Sequence, residues 1–133
     1  MSWLDRECEL IDTLRLDHGL LRPTYMSFHT ELWIQLEEGQ FSDVEGIRDH
    51  LTGYLDRNSL HHDVYSCLIT AFASGTSIFN LDGWSVRALL AEVSKLLPRL
   101  EFAARGVGEE IRDTWIREFA GGEQRFEVGP WNE

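Results

Sequence analysis

The chain has 133 residues, 43% of them hydrophobic and 11% aromatic, and a formal net charge of -11 from 23 acidic against 12 basic side chains. That is enough for one core and too little for two ordinary domains, and the aromatic content excludes a disordered chain. The acidic balance, with no run of Lys or Arg, argues against direct binding to nucleic acid, where cations must displace phosphate counterions; its complement is a basic partner, although acidity also serves solubility.

The N-terminal stretch is charged from Asp5 and Arg6 onward and lacks the apolar core and cleavage site of a signal peptide. No apolar run is long enough to span a bilayer, so no membrane contact and a cytoplasmic location are expected. In that compartment Cys8 and Cys67 are expected to be reduced thiols on apolar helix faces.

Ser2 with Asp5 caps a first helix in which Leu4, Cys8, Ile11 and Leu14 recur at helical spacing, closed by Gly19 and Pro23. Thr24 caps a second, with Tyr25, Phe28, Leu32, Trp33 and Leu36 inward and Gly39 at its end; Glu31 to Leu36 also reads as a strand, but the spacing favours helix. Ser42 and Glu45 make a capping box for a third helix carrying Val44, Ile47, Leu51, Tyr54 and Leu55, within which Gly46 and Gly53 each cost about 1 kcal/mol relative to Ala.

Ser59 opens a fourth helix, with Leu60, Val64, Cys67, Leu68, Ala71 and Phe72 inward, that stops at Gly75. Ser74 to Asp82 is a connector whose Ile78, Phe79 and Leu81 should pack on the body. Val86, Leu89, Leu90, Val93, Leu96, Leu97 and Leu100 give the strongest helical periodicity, interrupted at Pro98. Glu109 and Glu110 then open a last helix over Ile111, Trp115, Ile116 and Phe119, and Gly121-Gly122 ends it. Arg125 to Trp131 is an extended tail whose Phe126, Val128 and Trp131 should dock on the body or on a partner. The expected fold is therefore all-α: a single domain over 1–133, a compact bundle of about six helices with 121–133 as a short extended tail.

Of the histidines His18, His29, His50, His61 and His62, the adjacent pair points about 100° apart on a helix and cannot share a face. A metal-binding or enzymatic helical bundle using His18, His50, His61 or His62 is the second expectation, not the first. There is no nucleophile elbow, phosphate-binding glycine loop, paired-cysteine motif or metalloprotease helix, so no catalytic residue, metal or cofactor is assigned.

The more informative pattern is Glu45, Asp49 and Asp56, which step by four and seven residues away from the apolar stripe of the third helix. Glu37 and Glu38 before it and Asp63 after it extend an acidic stripe, whose plainer meaning is a wet helix face. These six and Trp131 are the expected partner-binding residues. The resulting expectation is a small acidic cytoplasmic protein that binds a basic protein, such as a bacterial immunity protein or antitoxin acting on a toxin or effector. A nucleic-acid mimic or adaptor, presenting the same carboxylates to a basic groove, is the further alternative.

Overall fold

Thr30, Leu32, Ile34 and Leu36 alternate with Glu31, Trp33, Gln35 and Glu37, a period of two that suits a strand with one wet face. In the computed structural model, which describes residues 29–109 and 112–130, this stretch is β1 (Thr30–Glu38). It is followed by α1 (Phe41–Glu45), α2 (Arg48–Arg57), α3 (Asp63–Ser74), β2 (Thr76–Phe79), α4 (Gly83–Leu96), β3 (Glu101–Val107), β4 (Thr114–Ala120) and β5 (Glu123–Val128). The strands make one antiparallel sheet in the order β2-β1-β3-β4-β5.

The expected all-α six-helix bundle is thus overturned. The residues assigned to the second helix are β1 where they are described, the connector contains β2, and Trp115, Ile116 and Phe119 of the expected last helix lie in β4. The tail is extended from Glu123 to Val128 but belongs to the sheet as β5. Helical spacing misled because Leu32, Trp33 and Leu36, or Trp115, Ile116 and Phe119, satisfy offsets of one, three and four even when they lie on opposite faces of a strand. The first helix, His18, Tyr25, Phe28, Ile111 and Trp131 lie outside the described residues.

Two helices keep the buried stripe read from the sequence, although α3 opens at Asp63 and not at the expected Ser59. α3 ends where Gly75, at a φ of 94°, takes the left-handed conformation and donates its amide to Ala71 O at 2.9 Å. α4 starts at Asp82, whose carboxylate accepts the Ser85 amide at 3.3 Å and the Ser85 hydroxyl at 2.7 Å. The third expected helix is instead two, broken at Gly46 and Ile47 between α1 and α2. Its capping contact also moves: the Gln40 amide donates to the Asp43 carboxylate at 3.0 Å, in place of the expected Ser42–Glu45 box.

Helices pack on one face of the sheet. There Leu32, Phe102, Trp115 and Phe119 meet Leu51, Leu55, Leu68, Phe72, Leu89 and Val93, all buried. The Phe102 ring stands edge-on to Phe72 at 5.1 Å and stacks on Phe119 at 5.0 Å. Trp115 reaches this layer because its cross-strand neighbour is Gly106: a Cβ there would lie 2.2 Å from the indole Cε2. One charge also enters the layer, Arg117, which donates to the carbonyls of Ile116, Val128 and Gly129 at 2.9, 3.0 and 2.9 Å.

Cys67 lies in this core and is disulfide-bonded, which corrects the expectation of two reduced thiols; the other cysteine of the chain, Cys8, is outside the described residues. Among the described residues no helix is long and apolar enough to cross a membrane.

Candidate interaction surface

The break between α1 and α2 decides the fate of the acidic stripe. Asp49 and Asp56 remain seven residues apart on one continuous helix, α2, and share a face. Glu45 does not join them, since it ends α1 and acts electrostatically on Tyr65 of α3. Asp49 instead lines a groove of about 280 Å³ between α2 and α4 with His50, Arg57 and Glu92. Burial holds the Tyr54 hydroxyl beside it above its ordinary range, Glu92 adding to that and Arg57 opposing it. Burial raises Tyr65 likewise, against the Arg48 guanidinium, which lies 5.6 Å from its ring centroid, and with help from Glu45.

Asp56 accepts a contact from His62 Nε2 at 2.7 Å, and Asp63 lies 3.1 Å from His61 Nδ1. His62 therefore spends its contact on one exposed carboxylate, whereas His61 Nδ1 also accepts the Asp63 backbone amide at 3.1 Å. Among the described residues no three His, Cys, Asp or Glu side chains form a group able to hold a metal ion. Glu37 and Glu38 are exposed at the end of β1, away from α2, and Glu38 stands directly opposite Glu101 of β3. Like charges in that position repel and cost stability. Of the expected acids, Glu37, Glu38, Glu45 and Asp49 are exposed and have no ion-pair partner among the described residues.

Sequence reading missed the outer face of the sheet, opposite the helices. One row across it runs Thr76, Trp33, Arg105, Ile116 and Val128 through successive strand pairs, and the next runs Gln35, Ala103, Glu118 and Phe126. The Arg105 guanidinium lies over the Trp33 ring. Because Ala103 and Gly75 are small, a dip of about 310 Å³ opens beside Trp33, Arg105 and Ile116. On the edge strand β5, Phe126 is 47% exposed. An apolar, aromatic centre with an arginine and a polar surround is the composition of a protein-binding patch rather than of a catalytic site. The signal lay in the period-two alternation of Glu31, Trp33, Gln35 and Glu37, once that stretch is taken as a strand.

Compared with known protein families, curated proteins and solved structures, the chain has no match.

Proposed function

We propose that this chain is a binding protein that neutralises a basic protein, in the manner of an immunity protein or antitoxin that protects a bacterium from a nuclease or similar effector. The observation that carries the proposal is the set of exposed carboxylates without ion-pair partners among the described residues, Glu37, Glu38, Glu45 and Asp49, on a chain of net charge -11. A nuclease needs cations in its cleft for phosphate, and carboxylates on a preformed surface can occupy that cleft or its rim.

Neutralisation of this kind acts in the cytoplasm, before the effector reaches its target. The Cys67 disulfide stands against that location, because cytosolic thiols are ordinarily kept reduced. The deciding experiment is co-expression with the product of the adjacent gene, followed by size-exclusion chromatography and an activity assay of the purified effector. A stoichiometric complex in which the effector loses its activity is expected. A partner that stays active, or that is itself acidic, overturns the proposal.

A further inference from the structure

We infer that the outer face of the sheet is the docking surface for that basic partner, and that the dip between Trp33 and Ile116 receives one of its apolar side chains; this rests on the neutralisation proposed above. Three features of the face converge on it.

The first is shape. Trp33, Arg105 and Ile116 wall the dip, while Ala103 and Gly75 leave it open, so the surface is concave where a side chain would enter. Trp and Arg are the residue types that concentrate binding energy at the centre of an interface, where their contacts are desolvated.

The second is charge. Glu31 and Glu118 flank the row on the same face, and Glu38 and Glu101 sit directly opposite one another at the end of the β1–β3 pairing. Against them stands Arg105, held over Trp33, while Arg125 at the far edge is folded back onto Ala120 O at 3.1 Å and Glu123 at 3.8 Å. A cationic rim on the partner would relieve the Glu38–Glu101 repulsion, whereas a second copy of this acidic chain would increase it. Charge therefore selects a basic protein as the occupant over self-association.

The third is rigidity. Trp33, Arg105 and Ile116, the centre of the row, stand on the interior strands β1, β3 and β4 and have paired neighbours on both sides, so little ordering entropy is lost when a partner docks.

The test uses the full chain labelled with nitrogen-15 and two synthetic probes. One is an extended arginine-serine peptide with a single central leucine; the other has glycine in its place. The expected result is amide shifts centred on Trp33, Ala103, Arg105, Ile116 and Glu118, with the leucine peptide bound about tenfold more tightly, as burial of one aliphatic side chain implies. Ala103→Trp, which fills the dip, should erase the difference between the peptides. Glu118→Lys, at an exposed position that folding tolerates, should weaken both severalfold. Shifts confined to α1 and α2 would overturn the surface and leave the basic partner standing, and equal affinity for the two peptides would overturn the dip. Absence of shifts with either peptide would overturn the basic partner and the docking surface together.

Discussion

The Arg105 guanidinium carbon lies 4.5 Å from the centroid of the Trp33 ring, and the two residues are direct cross-strand partners in the β1–β3 pairing. The pair fixes two long side chains side by side before anything binds, on a face that also carries Glu31 and Glu118. A double-mutant cycle of Trp33→Ala and Arg105→Ala in urea unfolding should give a coupling of about 0.5–1 kcal/mol. Coupling indistinguishable from zero would mean that the two side chains only happen to be adjacent.

Arg117 ties the last strand to the sheet. It is buried, and its guanidinium satisfies the carbonyls of Val128, the last paired residue of β5, and of Gly129 just beyond it. Arg117→Leu should cost about 1–3 kcal/mol, because those carbonyls lose their donors. Amide exchange should accelerate in β5 before it does in β1 or β3. Arg117→Lys should recover little, since an ammonium cannot reproduce the planar fork. Unchanged protection in β5 would remove the arginine from this role.

Cys67 supplies a third expectation. Thiol titration of the denatured, unreduced protein should find Cys67 unreactive, and reduction should release its thiol. Reduction should also lower stability by about 2–4 kcal/mol, as loss of a native cross-link generally does. A reactive Cys67 before reduction would restore the reduced state expected from the sequence and remove the objection to a cytoplasmic location.

Steering and docking should separate kinetically. Asp49→Lys with Asp56→Lys, on the exposed face of α2, should slow association and flatten its salt dependence while leaving dissociation unchanged. Ile116→Ala, on the outer face, should do the reverse and speed dissociation. Neither change should greatly alter folding, the first because exposed charges contribute little to stability. Identical kinetic profiles for the two variants, measured by surface plasmon resonance at several ionic strengths, would mean that only net charge matters.

Legibility of the fold varied with the chemistry of the inward residues. α4 was plain because Val86, Leu89, Leu90 and Val93 are all apolar and all buried, and α3 because Gly75 marks its end. β4 was hidden by Arg117: a charge at an inward position destroyed the alternation that Trp115 and Phe119 would otherwise have announced. β3 was hidden by size, since its inward Ala104 and Gly106 carry too little apolar surface to register a period. With those strands unrecognised, the outer face could not be assembled from sequence at all. The acidic residues were legible one by one, but their grouping was not, because Gly46 and Gly53 weaken a helix equally and only Gly46 falls at the break that puts Glu45 and Asp49 on different helices.

The strand order carries a cost in time. β1 occupies an interior place in the sheet, yet the neighbour that covers most of its length, β3, comes from much later in the chain, after α4. β2 arrives earlier but pairs only with Thr30 to Trp33, so a nascent chain leaving the ribosome carries β1 with Gln35 to Glu38 unmatched until β3 is synthesised. Pairing across so long a loop is slow, and an unmatched apolar strand is the species that aggregates or recruits a chaperone. The carboxylates of Glu31, Glu37 and Glu38 sit on that waiting strand, where their mutual repulsion between chains guards against premature association during the interval.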